Sequence, residues 1–232
     1  MKHAIAFGVA ALVASTMAWA SSAPGLPADL LARGWEEITF DGKVPNRYAA
    51  CGDGCVEVAT DGSVSLVGRP LPADLTETPI VTWEWRVTAP PPASDLTVKG
   101  QDDRALAVYV TFPYDPDKAS FGENLLRPLI EVFRGRDTPA RSIAYVWAGY
   151  GAPGEVVRSP YYGDVNVMVV ARIADAPVGQ WLRETIDVAA DHERIFGFRP
   201  DKSAHVLIGA DSDDRGVANT GRVRGISFQP RR

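Results

Sequence analysis

The sequence predicts an all-β protein, a mainly antiparallel, jelly-roll-like β-sandwich with one or two short helices. Three observations carry that expectation. First, Val81-Thr82-Trp83-Glu84-Trp85-Arg86-Val87 alternates with a period of two, so Val81, Trp83, Trp85 and Val87 share one face and polar residues share the other. Second, Ala105 to Phe112 is apolar on both faces and rich in β-formers, the signature of a central strand. Third, about ten short segments of this kind are separated by Gly, Pro and Asp, whereas a parallel sheet would need helices between its strands.

In chain order the expected strands are Trp35 to Phe40, Val56 to Thr60, Ser63 to Val67, Val81 to Thr88, Ala105 to Phe112, Ile143 to Trp147, Val165 to Ile173, Leu182 to Val188, His205 to Ala210 and Val223 to Phe228. Asp61-Gly62 joins the second and third as a hairpin turn. Leu125, Leu129, Val132 and Phe133 recur at helical spacing, which predicts a helix between Phe121 and Phe133 interrupted near Pro128. A shorter helical turn is expected from Ala189 to Phe196, closed by Gly197. Trp83 and Trp85 follow the buried face of their strand and are expected in the core.

The first residues read as a secretory signal peptide, with Lys2 and His3, an apolar run from Ala4 to Ala14 and the small-x-small sequence Ala18-Trp19-Ala20. The apolar run is shorter than the roughly 20 residues that span a bilayer. Cleavage after Ala20 would leave residues 21–232 as a single β-sandwich domain, periplasmic or secreted, with no transmembrane segment after processing. In an oxidising compartment Cys51 and Cys55, the only cysteines, are expected to pair across Gly52-Asp53-Gly54 as a disulfide. With 24 basic and 29 acidic side chains the formal net charge is −5, which gives no electrostatic footprint for nucleic acid.

Catalytic motifs are sparse. The sequence has no Gly-x-Ser-x-Gly elbow and no His-Glu-x-x-His, and only His192 and His205 would survive processing. Glu84, Glu131 and Glu184 could serve two-carboxylate glycosidase chemistry, which depends on a spatial separation. Gly149-Tyr150-Gly151-Ala152-Pro153-Gly154 spells a dinucleotide fingerprint, yet Pro153 and the valines that follow do not begin the helix that such a site needs. Asp211-Ser212-Asp213-Asp214-Arg215-Gly216 begins like a calcium loop, but arginines fill its fifth and twelfth positions, so it is no EF-hand. Asp211, Asp213 and Asp214 could still hold a calcium ion, the one cofactor suggested, together with other loops. Asp102 and Asp103, just before the central strand, are candidates for the same end of the sandwich. Trp147, Tyr150, Tyr161 and Tyr162 flank a Gly/Pro-rich loop and could present stacking surfaces to sugar rings.

Thr82-Trp83-Glu84-Trp85-Arg86-Val87, Lys99-Gly100-Gln101-Asp102-Asp103-Arg104, Ile143-Ala144-Tyr145-Val146-Trp147, Arg158-Ser159-Pro160-Tyr161, Trp181 to Gly197 and Asp211-Ser212-Asp213-Asp214 together resemble a bacterial family known as domain of unknown function 3047. The resemblance implies an exported β-sandwich with no assigned activity. In that pattern the acidic turn is expected to run on as Asp-x-Asp-Asn-Thr-Gly, whereas here Asn219-Thr220-Gly221 comes later. The functional expectation is carbohydrate or cell-envelope glycan binding through Asp102, Asp103, Trp147, Tyr150 and Tyr161. The alternatives are a carbohydrate-active lyase or hydrolase on the same fold, and a structural or interaction protein of the cell envelope.

Overall fold

A computed structural model describes residues 25–119 and 139–232. The expected helix from Phe121 to Phe133, Glu131 within it and the leader ahead of residue 21 lie outside the described residues. Among the described residues the elements are α1 (Ala28–Leu31), β1 (Glu36–Ile38), β2 (Arg47–Ala50), β3 (Val56–Thr60), β4 (Val64–Pro70), β5 (Ile80–Val87), β6 (Arg104–Phe112), β7 (Arg141–Ala148), β8 (Val156–Ser159), β9 (Gly163–Arg172), β10 (Leu182–Asp187), α2 (Val188–Phe196), β11 (His205–Asp211) and β12 (Asn219–Gln229).

The strands form two sheets, one of seven in the order β1-β4-β11-β6-β7-β9-β8 and one of five in the order β10-β5-β12-β3-β2. Pairing is antiparallel throughout except between β7 and β9. The all-β sandwich expected from the sequence is therefore the fold. β6 lies centrally in the larger sheet, and its two-sided apolarity is used on both faces. Leu106, Val108 and Val110 face the five-stranded sheet, while Ala107 and Tyr109 join Leu66, Val146, Met168 and Leu207 in a second apolar cluster on the other side.

The inner core is aromatic. Trp83 and Trp85 of β5 and Tyr145 and Trp147 of β7 are all fully buried, and the pairs Trp83/Trp85, Trp83/Tyr145 and Trp85/Trp147 each have ring centroids 5.5 Å apart. Trp147 therefore packs between the sheets and is no surface platform. Its strand alternates, so Trp147 shares the inward face with Ile143 and Tyr145. Glu184 of β10 faces the same interior, accepts a hydrogen bond from Trp85 Nε1 at 2.9 Å and is clamped by Arg172 at 2.7 and 3.2 Å. Glu84 lies on the outer face of that sheet, opposite Arg183 and bonded to Arg224 at 2.9 Å. A sheet separates the two carboxylates, so they cannot act as a pair on one substrate.

Two short strands carry no sequence signal of the kind used above. β2 and β8 are four residues each at sheet edges, too short for alternation to register. The expected disulfide is present and closes the turn between β2 and β3. Helix α2 is capped by Asp187, whose side chain accepts from Ala190 N, and stopped by Gly197 at φ 85°. Gly149 leads into a loop that passes to β8 with no helix, so the glycine fingerprint has no phosphate-binding geometry. Gly149 instead permits a close approach, since a Cβ there would fall on the carbonyl of Pro92. That contact presses the β5–β6 loop against the end of β7.

Two outcomes follow. Gly149→Ala must push the Pro92 backbone aside, and urea denaturation should show a loss of about 2 kcal/mol or more. The paired substitution Cys51→Ser with Cys55→Ser opens only a small ring, and the same measurement should show a loss of at most about 2 kcal/mol with the circular dichroism spectrum unchanged.

Candidate functional site

The site sits where β6 begins and β11 ends, and a bulge shapes it. Against both β11 and β7 the register shifts by one extra residue of β6 next to Arg104. Ala105 and Leu106 consequently both face the inner core, and Arg104 is turned to the opposite side of the sheet. There its guanidinium meets Tyr109 OH at 3.3 Å and Asp211 at 3.2 Å through one nitrogen, and the carbonyl and carboxylate of Asp102 at 2.9 and 3.2 Å through another. All three charged side chains are at least 88% buried. One guanidinium thus holds two carboxylates in a nearly dry setting.

Asp103 performs a different task. Its fully buried carboxylate accepts the backbone N–H groups of Asp214 and Arg215 at 3.1 and 2.9 Å, and so closes the turn after β11. Asp214 reciprocates by accepting from Asp102 N at 3.2 Å. The β5–β6 loop and the β11–β12 turn are therefore stitched in both directions. Asp213 pairs with Lys43. Below the turn, Ser212 bonds Thr60 at 2.6 Å, and a buried polar network continues through Ser63, Asn46 and Ser65 to Tyr48 and Glu37. Apart from Ser212, these residues lie on or beside β1 to β4 and carried no motif in the sequence.

Asp102 and Asp103 are thus brought together with Asp211, Asp213 and Asp214. The carboxylate oxygens that converge within 4.8 Å of one another belong to Asp103, Asp213 and Asp214. Asp211, which the sequence groups with Asp213 and Asp214, turns to Arg104 instead. Three carboxylates are the hard-oxygen donors a divalent cation would take, although Asp103 already accepts two backbone N–H groups, Asp214 accepts one and Asp213 faces Lys43.

Burial pushes Asp211 up to about 7, opposed by Arg104 and reinforced by the charges of Asp102, Asp103 and Asp214. Burial also raises Asp102 and Asp103 above the usual carboxylate range; Arg104 pulls Asp102 back, and the turn N–H groups pull Asp103 back. Tyr161 borders this cluster, since its hydroxyl accepts from Gly100 N at 3.2 Å and Lys99 lies 5.2 Å from its ring centre. Tyr161 is 46% exposed and Tyr150 is 76% exposed, while Tyr162 is half-buried beside Tyr161 at 6.4 Å.

A carboxylate whose folded pKa lies above its unfolded value binds its proton more tightly in the folded state. Asp211 therefore contributes stability below about pH 4 and loses it as pH rises to about 7. Burial depresses His192 to about 4, and it acts in the opposite sense over much of that range. Asp211→Asn should make the slope of unfolding free energy against pH more positive by about 1.4 kcal/mol per unit between about pH 4 and 6.5. Urea titrations of both proteins across that range measure it.

Comparison with known proteins adds a family. No curated protein sequence matches the chain. Similar solved structures include the xyloglucanase domain of NopAA, a type three effector from Sinorhizobium fredii, in complex with cellobiose, at 10% identity and a TM-score of 0.44 over 91% of this chain and 100% of that one. The family 11 carbohydrate-binding module of the cellulase Lic26A-Cel5E of Clostridium thermocellum is 8% identical with a TM-score of 0.42, over 85% of this chain and 88% of that one. Endoglucanase cel12A from Rhodothermus marinus is 12% identical with a TM-score of 0.42, over 85% and 92%. Likenesses of this degree say nothing about activity. A family model described as "Protein of unknown function (DUF3047)" matches residues 33–227, from the turn before β1 into β12 and through the whole acidic site, and the chain belongs to that family.

Proposed function

We propose that this chain is an exported glycan-binding domain, freed by cleavage after Ala20, that holds carbohydrate at the loop end around Tyr161. The observation that carries the reading is the placement of Tyr161. A half-exposed ring is fixed by its own hydroxyl to the loop that bears Asp102 and Asp103, beside Asp213 and Asp214. A flat ring beside charged acceptors is the chemistry that recognises a sugar, whose apolar face stacks and whose hydroxyls donate. Tyr150 offers a second exposed ring on the Gly149 loop, which is packed against the same β5–β6 loop. The local disulfide fits an oxidising compartment, and among the described residues no helix is long and apolar enough to cross a membrane.

One observation favours a hydrolase or lyase as the second reading. A carboxyl group near pH 7 is what general acid catalysis uses, and Asp211 is such a group. Its side chain is 8% exposed and engaged by Arg104, which argues for a structural charge.

Affinity electrophoresis in gels containing soluble β-glucans, xyloglucan or pectin tests binding, run with and without added calcium. Retardation by at least one polysaccharide is expected, with Tyr161→Ala and Tyr150→Ala each weakening it by about tenfold, as loss of one stacking contact of 1–2 kcal/mol implies. Migration unchanged in every gel sinks the glycan reading. Release of reducing ends or unsaturated products from the same polysaccharides would instead establish the enzyme.

A further inference from the structure

The five-stranded sheet turns its outer face away from the aromatic core, and that face is basic. Tyr48, Trp85 and Val223 point into the core, so period two sends Arg47, Arg86, Arg222 and Arg224 outward. Arg183 joins them beside the inward Glu184. Five arginines thus stand against Glu57 and Glu84, since Asp187 at the far margin is taken by Arg231 at 2.7 Å. In a chain of net charge −5 this is a local excess of three positive charges.

Pairing within the face is incomplete. Arg222 and Arg224 reach Glu57 and Glu84 through Nε, and their side chains stay 36% and 42% exposed. Arg47, Arg86 and Arg183 have no carboxylate partner among the described residues. Arg86 lies directly opposite Arg222 in the β5–β12 ladder, a like-charge placement that costs stability. Trp181, just ahead of β10, contacts two of these cations, with its ring centre 5.2 Å from the Arg86 guanidinium and 4.0 Å from that of Arg224. Such ring contacts hold a guanidinium in place, leave its charge unneutralised and keep in-plane N–H donors for a carboxylate. Thr185, Thr82 and Ser227 form an adjoining row of hydroxyls in register across β10, β5 and β12, the outer two exposed.

We propose that this face is a second binding surface, one that takes an acidic polysaccharide, with uronate carboxylates on Arg47, Arg86 and Arg183 and sugar hydroxyls on the threonine and serine row. The five strands span about 19 Å, room for several sugars in a chain. None of the exposed large apolar side chains among the described residues lies on these strands, so the face lacks the apolar anchor that a protein partner or a lipid surface would use. Duplex DNA carries about one charge per 1.7 Å, far denser than arginines on strands about 4.8 Å apart. A polyuronate, with one carboxylate per sugar ring and hydroxyls between, matches both rows. Tyr161 sits between β8 and β9 of the other sheet, so this surface does not rest on the glycan reading above.

Isothermal titration calorimetry of the full chain with an oligogalacturonate long enough to cross the sheet, at low salt and with a chelator to exclude calcium bridging, tests the proposal. Saturable binding is expected, weakened about tenfold or more by methyl esterification of the oligomer, which removes the charge and keeps the sugar chain. The paired substitution Arg86→Gln with Arg183→Gln should weaken it by a similar factor while the melting temperature holds, because neither guanidinium is engaged by a carboxylate. Tyr161→Ala should leave it unchanged. The proposal is overturned if the acidic oligomer fails to saturate by about 1 mM, if its methyl ester binds equally well, or if the arginine pair changes nothing. Tighter binding to phosphatidylglycerol vesicles or to duplex DNA than to the oligomer also overturns it, as does loss of binding in Tyr161→Ala alone.

Discussion

The packing of four large rings between two sheets sets the terms for everything else in this molecule. Trp83 and Trp85 project from one strand, Tyr145 and Trp147 from another, and their edge-on and tilted contacts occupy the space where smaller side chains would have left voids. Because β5 and β7 lie in different sheets, these rings fix how the sheets face each other, and through that the relative height of every loop at either end. Truncating any one to alanine would cost about 3–5 kcal/mol. A half-buried ion pair borders the same layer. Glu184 satisfies one indole nitrogen and is itself neutralised by Arg172, whose guanidinium reaches toward solvent.

The acidic end is organised by a similar economy. A single extra residue in β6 converts an inward position into an outward one, and the guanidinium delivered there keeps two desolvated carboxyl groups from repelling each other. Asp103 removes two backbone donors from competition by capping the neighbouring turn. These interactions hold the two loops in one arrangement.

Much of the layer architecture was legible because period-two alternation is a local property. Val81 to Val87 and the doubly apolar run ending at Phe112 reported their environments correctly. Trp147 was misread although the same rule applied to it. Its place next to a glycine-rich loop suggested a surface role, but counting from Ile143 and Tyr145 puts it inward. The meeting of Asp102 and Asp103 with the Asp211 turn could be anticipated from strand ends. The part played by Arg104 could not, since a bulge is a property of register between strands far apart in sequence. The polar network from Ser212 to Glu37 was hidden for the same reason, with four of its members each on a different strand.

Among the described residues the strand order leaves four open edges, occupied by β1, β8, β10 and β2. These strands are three, four, six and four residues long. Short margins offer few free ladder groups to a neighbouring copy, and the exposed arginines Arg47, Arg158 and Arg183 sit on three of them. A sandwich with such blunted borders resists stacking into fibrils.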